Sequence, residues 1–492
     1  AEKELSPEEL LGNDALGFYK DLHSNDVAQM IVDGKIGSFL HVLTAEEANY
    51  LQSLVQKSRL KIPLLIGIDA IHGNAMVEGA TVYPTPINMA ATFTDEYAYD
   101  IARQTAKEMR ATGSHWAFTP NIDVLRDPRW GRVGETFGED PFLVANMGVE
   151  MIRGFQQNNF TGTQSVIACA KHLIAGGEPI NGLNASPMDI SERTLFEVHL
   201  PPYKRAIEAG VFSIMAAHNE LNGIPCHMHK GLMTDVLRNQ WNFDGFYVSD
   251  WMDIERIEKL HHTAENFKEA TFLSVDAGMD MHMHGPLFLE NVVELVHEGR
   301  LSIDRVNTAC EKILTAKFNL GLFENAMVDL DQVDAKIFTE EHVELALEVA
   351  QKSITLLKNN GILPLSKNAP KKILVTGPNA NNSTILGDWH MPQPEENITT
   401  IYEGIKDLAQ PLGFDVSYFD SGQNLRKIKN KDIEEAANRS KEADLVVLVV
   451  GENSLRYKWN QKTAGENMAR ADLRLPGKQL DLVKAIYQSG TP

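Results

Sequence analysis

Cysteine is scarce. Cys169, Cys226 and Cys310 are the 3 in 492 residues, and their spacing fits no disulfide scaffold. No CxxC occurs, which excludes a thiolate zinc site. Positive charge is in deficit. Lys and Arg total 46 against 67 Asp and Glu, a formal charge of -21. Such a chain repels nucleic acid and anionic membranes and accepts a neutral partner more easily. No apolar run approaches the ~20 residues of a membrane span. There is no initiator Met or signal peptide before Ala1-Glu2-Lys3, which fits a mature exported protein or a trimmed chain. Internal repeats and low-complexity tracts are also missing.

What is present is ordinary for a globular protein: 43% apolar and 23% charged residues. The length implies two or three domains. Helical potential surrounds Pro7 to Leu11. From Ile36 onward apolar runs alternate with helical stretches. The runs 62–68, 116–118, 165–170, 213–217 and 246–248 read as strands, and the helices 45–58, 95–112, 143–157, 191–209 and 231–239 fall between them. This βα succession implies a parallel sheet. Polar residues at successive strand tips favour a barrel over an open sheet. A helix over 309–320 closes the unit. A second βα series begins near Ile354, with strands over 372–377 and 444–451 and a helix over 478–487. The 444–451 run is continuously apolar, as in a strand covered on both faces.

The strand tips carry the candidate chemistry. Phe246-Tyr247-Val248 ends at Ser249-Asp250-Trp251. A carboxylate there suits a glycosidase nucleophile, and the indole offers a flat face to a sugar; a helix-capping Asp and a core Trp fit equally well. Asp69 follows Gly67-Ile68 and is placed to accept from vicinal hydroxyls. Arg126, Arg129 and Arg132 interleave with Asp127 and Trp130; Arg126 is expected to face the pocket and Arg129 or Arg132 to be structural. Lys171 and His172 end another strand and are expected to donate to hydroxyls. His218-Asn219 ends a fourth.

Together these motifs resemble the glycoside hydrolase family three β-glucosidases over nearly the whole chain. The matching segments are Gly67-Ile68-Asp69 with His72-Gly73, Arg126 to Arg132, Lys171-His172, Asp189 to Leu195, Leu221-Asn222-Gly223 and Gly245 to Trp251. The resemblance implies a TIM-like barrel followed by an α/β sandwich. That gives residues 1–325 as the barrel, 326–345 as a linker and 346–492 as the second domain, stopping where a further strand is due. It implies a retaining, exo-acting mechanism with no cofactor and no metal. Asp250 matches the nucleophile. Asp69, Arg126, Lys171 and His172 match the ligands of the terminal sugar, the Lys-His pair lying at an irregular, cis-peptide strand end. His218 stands where family members commonly carry Tyr. The acid/base comes from a second-domain loop, here 451–476, with Glu466 preferred over Glu452. The substrate implied is a neutral β-linked oligosaccharide, and the location is periplasmic or extracellular.

The mechanism needs Asp250 ionised and Glu466 protonated. Trp251 and Trp389 are candidates for the acceptor sugar, a core role for Trp389 being at least as good. β-Xylosidase activity is the runner-up. A metal-dependent hydrolase is a different reading, invited by His227 with His229, His261 with His262, and His282 with His284, but these pairs follow no clear strands. A non-catalytic sugar-binding module is the third.

Overall fold

A computed structural model describes residues 23–366 and 371–492. The segment Pro7 to Leu11 lies outside the described residues. The first sheet contains β1 (Ser38–Leu40), β2 (Leu65–Ile68), β3 (Trp116–Ala117), β4 (Ile167–Leu173) and β5 (Ser213–Ala216). A short antiparallel hairpin follows, β6 (Glu220–Leu221) with β7 (Ile224–Pro225), and then β8 (Phe246–Val248). The six long-range strands pair in parallel in the order β1-β2-β3-β4-β5-β8, and the sheet curls into a half-barrel. Each strand from β2 to β5, and β8, is buried along its whole length. Burial on both faces explains why they read as unbroken apolar runs. Trp116 fills the inside between Phe118 and Phe246, with ring centroids at 4.6 and 5.1 Å.

Helices cover the outside. Glu96–Ala111 buries Ala98, Ile101, Ala102, Thr105 and Met109, a stripe at helical spacing. It packs on Pro141–Phe160, where Gly154 permits the approach: a Cβ there would lie 2.4 Å from the Tyr99 carbonyl oxygen. The helix expected over 191–209 runs from Glu192 to Glu208, widened to a π-turn at Leu195–His199. Pro201 and Pro202 lack the N–H groups of a regular α-helix, and the wider turn stands just before them.

The second sheet has β9 (Lys372–Thr376), β10 (Asp415–Phe419) and β11 (Leu445–Leu448), parallel in the order β10-β9-β11. β11 is only half-buried beyond Leu445, not covered on both faces as its composition suggested. Ile354 to Leu357 form no strand, and Leu357 is 92% exposed. The helix Glu340–Ser353 crosses the expected end of the linker at 345 and packs on the first domain. Buried Glu108 anchors this segment. It accepts from Thr81 N and Oγ1 and from Phe338 N, and lies 2.8 Å from His342 Nδ1.

The two domains meet above the strand tips. His72 Nε2 lies 2.5 Å from the Asp388 carbonyl oxygen. Gly465 N donates to Gly131 O at 2.7 Å, and Arg470 N to Arg129 O at 3.0 Å. Gly131 is required at that crossing, because a Cβ there would come within 1.9 Å of the Met468 carbonyl oxygen. This backbone crossing brings Glu466 over the barrel mouth.

Candidate active site

Each strand of the half-barrel delivers a polar side chain to one chamber. His41 follows β1, Asp69 follows β2 and Asp123 follows β3. Lys171 and His172 lie in β4, His218 follows β5 and Asp250 follows β8. The register of β4 against β5 shifts between Ala170 and Leu173, and the Lys171–His172 peptide is cis. Both side chains reach the chamber. Lys171 Nζ donates to Asp69 Oδ1 at 2.6 Å, and His41 Nε2 lies 2.8 Å from Asp69 Oδ2. Burial pushes the Asp69 carboxyl up, but Lys171 and His41 outweigh it and hold it well below the usual carboxylate range.

Asp250 is 8% exposed. Its backbone N donates to His227 Nε2 at 2.9 Å, and its Oδ1 accepts from Trp251 N at 2.6 Å. Its Oδ2 lies 3.2 Å from His218 Nε2 and 3.7 Å from His172 Nε2, yet accepts no hydrogen bond. His218 is anchored behind: its Nδ1 is 2.7 Å from Asp253 Oδ2, and Asp253 Oδ1 accepts from Arg256 Nη1 at 2.6 Å. His172 Nδ1 lies 2.9 Å from Asp123 Oδ2, and its Nε2 accepts from Arg132 Nη2 at 3.2 Å. Arg132 also grips Glu135 with two nitrogens, at 2.9 and 2.8 Å.

The second domain supplies the roof. Glu466 Oε2 accepts from Arg456 Nη2 at 2.9 Å. Its Oε1 lies 3.5 Å from Arg132 Nη1 and 3.8 Å from His218 Nε2. The Arg456 guanidinium stacks on Trp389, 3.5 Å from the ring centroid. Asp388 accepts from Lys462 Nζ at 3.1 Å and from Glu466 N at 3.3 Å. Asp250 and Glu466 thus meet at one imidazole edge, each from a different domain.

The charges follow from this packing. Burial opposes protonation of His218, but Asp250 and Asp253 outweigh it and raise its pKa to about 10. Burial raises Asp250, and Asp253 and Glu466 add to the rise against His218 and Arg132. Burial also pushes Glu466 up, but Arg132, His218 and Arg456 together hold it well below the usual range. Burial lowers His227 to about 4, which leaves its Nε2 free to accept from Asp250 N. His172 is held well below its ordinary value by burial and by Arg132. The shifts therefore run opposite to those expected from mechanism: Glu466 is the carboxyl held down and Asp250 the one pushed up. The cause is two arginines around Glu466 that sequence spacing did not place there.

Other expectations are corrected as well. Arg126 is exposed, and the charge it perturbs is Glu178, away from the cluster. Arg132, with Arg129 one of the two offered as structural, is the arginine brought to both Glu466 and His172, turned inward by the tight turn Gly131–Glu135. His172 Nε2 accepts from Arg132, while its Nδ1 faces the Asp123 carboxylate. Trp251 is partly exposed with His284 against its ring, centroids 3.6 Å apart. Glu452 pairs with Arg470 and stays out of the cluster. The histidine pairs are dispersed: His227 serves Asp250, His282 stacks on Phe288 at 4.8 Å and His261 sits 3.2 Å from Glu220. Among the described residues His218, Asp250 and Asp253 are close enough to hold a cation, but Arg256 Nη1 lies 3.1 Å from His218 Nδ1 and would repel it. Sequence reading missed His41, Asp123, Asp253, Asp388 and Arg456.

The fold and this chamber define a two-domain α/β protein with paired carboxylates at the domain boundary. Comparison gives the family. The N-terminal domain description of glycosyl hydrolase family 3 matches residues 13–316, and its C-terminal domain description matches residues 354–492. The chain belongs to that family. A beta-xylosidase of Formosa agariphila is 37% identical over 94% of this chain and 66% of its own length. A periplasmic beta-glucosidase of Salmonella typhimurium is 32% identical over 95% of this chain and 62% of its own length. Among solved structures, a beta-glucosidase of Listeria innocua in complex with glucose superposes with a TM-score of 0.86 at 33% identity, over 97% of this chain and 63% of that one. The chain spans just under two thirds of the length of these relatives. No helix among the described residues is long and apolar enough to cross a membrane.

Proposed function

We propose that this chain carries the catalytic apparatus of a retaining, exo-acting β-glycosidase that releases terminal non-reducing β-D-glucose from a neutral β-linked oligosaccharide. The observation that carries the reading is the meeting of Asp250 and Glu466 at His218 Nε2. That geometry keeps their nearest oxygens within about 7 Å, below most of the ~6.5–9.5 Å range of inverting pairs. Asp250 Oδ2, buried and without a hydrogen bond, is the attacking atom. It bonds to the anomeric carbon while Glu466 gives its proton to the departing glycosidic oxygen. Water then enters, Glu466 takes its proton, and the bond to Asp250 breaks. Lys171, Asp69 and His41 hold the terminal ring.

The 37% identity to a beta-xylosidase favours a second reading, release of xylose by the same steps. Exported, periplasmic action belongs to the proposal and rests on the resemblance to a periplasmic relative.

A panel of p-nitrophenyl glycosides tests both readings. The β-glucoside is expected to be hydrolysed fastest; a faster β-xyloside selects the second reading. Asp250→Gly is expected to lose on the order of 10⁴-fold or more in kcat. Glu466→Ala is expected to lose far less on a dinitrophenyl leaving group and to be accelerated by azide. Full activity in Asp250→Gly would refute the nucleophile assignment.

A further inference from the structure

The polar atoms buried in the chamber without a hydrogen bond include three around Glu466 and Asp250: Asp250 Oδ2, Trp389 Nε1 and Arg456 Nη1. Leaving such atoms unpaired is costly, so a chamber that holds several is shaped for a polar guest. One of the three also controls Glu466. Arg456 has one nitrogen on Glu466, at 2.9 Å, and the other unused, 4.0 Å from Asp388 Oδ1. Its guanidinium covers the face of Trp389, and Lys171 Nζ lies 5.3 Å from the same ring. Arg456 therefore borders the Asp69–Lys171 pair expected to grip the sugar.

Three cations face Glu466, and they differ in freedom. Arg132 is held by Glu135 and His172 inside the barrel. His218 is held by Asp253. Arg456 lies in the irregular segment that follows β11, tied by a single hydrogen bond to Glu466 and by stacking on Trp389. It is the one that can turn without dismantling the barrel. The remaining charges facing Glu466 are Asp250 across the gap and Asp388 behind its backbone N, itself paired with Lys462. Arg456 is faced by Glu466, Asp388 and Asp69.

We propose that Arg456 couples sugar binding to the protonation of Glu466: its free nitrogen donates to a hydroxyl of the incoming glycoside, and turning toward the sugar loosens its hold on the carboxylate, which then takes a proton from solvent. The inference rests on Glu466 being the acid/base. It makes Arg456 a positioning residue that also selects substrate. Losing a cation from the carboxylate's side raises the carboxyl pKa, so the sign of the effect is fixed.

The test compares the pH dependence of kcat/KM for the full chain, Arg456→Gln, Arg456→Lys and Glu466→Ala on p-nitrophenyl and dinitrophenyl glycosides. The limb that vanishes in Glu466→Ala on the dinitrophenyl substrate marks Glu466. In Arg456→Gln that limb is expected to move up by about one pH unit and KM to rise several-fold. Arg456→Lys, which keeps the charge and loses the fork, is expected to keep the limb and raise KM. An unmoved limb and unchanged KM in both variants overturn the coupling. If no limb vanishes in Glu466→Ala and azide gives no acceleration, the acid/base reading itself fails. Should Arg456→Gln not fold, Arg456→Lys with an unchanged KM still overturns the proposal.

Discussion

Removing the imidazolium of His218 should expose how much the chamber depends on it. His218 rises from 6.5 to about 10 on folding, roughly 3.5 units or about 5 kcal/mol of favourable proton binding. Part of this is offset, because Asp250, one of its partners, is itself raised by burial and by Asp253. A raised pKa stabilises the fold fully below the unfolded value of 6.5, and the contribution is lost as pH climbs through about 10. His218→Gln keeps much of the side-chain volume and removes the charge. Asp253 keeps Arg256, but Asp250 and Glu466 then face each other without the cation between them. Breaking a buried pair in this way costs about 3–5 kcal/mol. The loss should be largest near neutral pH and should shrink toward pH about 10, measured by urea unfolding of both proteins across that range. Catalysis reports the same event. Without His218, Asp250 holds its proton to higher pH, so the acid limb of kcat/KM on an activated aryl glycoside moves up. His218→Tyr, a donor without charge, should restore part of the rate and none of the pH-dependent stability. Equal destabilisation at neutral and alkaline pH, together with an unmoved acid limb, would refute the charge assignment.

Glu108→Gln should lower the urea midpoint, costing about 1–3 kcal/mol, because one oxygen that accepts at the segment 325–342 becomes a donor. The same variant should be cleaved faster by protease within that segment while kcat is retained; an unchanged midpoint would show that the anchor is dispensable. Prolonged chelation should leave the glycosidase rate unaltered, since the histidines of the pairs at 227, 261 and 282 are engaged separately. A rate abolished by chelation and restored by zinc would return the metal-hydrolase reading.

The residues that could be read from sequence share one property: they end long buried strands. Asp69, Lys171, His172 and Asp250 each follow or close an apolar run, and polarity there needs a reason. His41 was invisible because β1 is only half-buried, unlike the equally short β8, and has no apolar run to mark its tip. Asp253 and Arg256 look like an ordinary i,i+3 pair on a helix surface; burial of Asp253 to 2% exposure gives them their role. The three arginines of 126–132 were indistinguishable by spacing. Their fates are decided by the tight turn Gly131–Glu135, which sets Arg132 against Glu135 three residues on and leaves Arg126 outside. The π-turn in the helix over 191–209 was legible in principle from Pro201-Pro202. The half-burial of β11 was not, because composition does not report which neighbours a strand acquires.

The order of proton affinities was the least legible feature, and it bears most on mechanism. It is a sum over charges from five separate chain segments, none of which is near Glu466 in sequence except Arg456. The free chamber pushes the Asp250 carboxyl up and holds Glu466 down, whereas cleavage needs Glu466 to be the one that carries a proton. A substrate does not have to bring a proton, because solvent supplies the one that Glu466 takes; it has to loosen the cations that hold Glu466 down. A sugar lodged over Asp250 parts it from Glu466 and draws Arg456 away, weakening both causes of the reversed order at once. A bell-shaped pH profile alone does not distinguish the two orders, because each carboxyl can contribute either limb of a coupled pair. The variants at Arg456 and His218 do distinguish them. Each removes one cation: Arg456 acts on Glu466, whereas His218 faces both carboxyls, so a limb that moves in both variants reports Glu466 and a limb that moves only in the His218 variant reports Asp250.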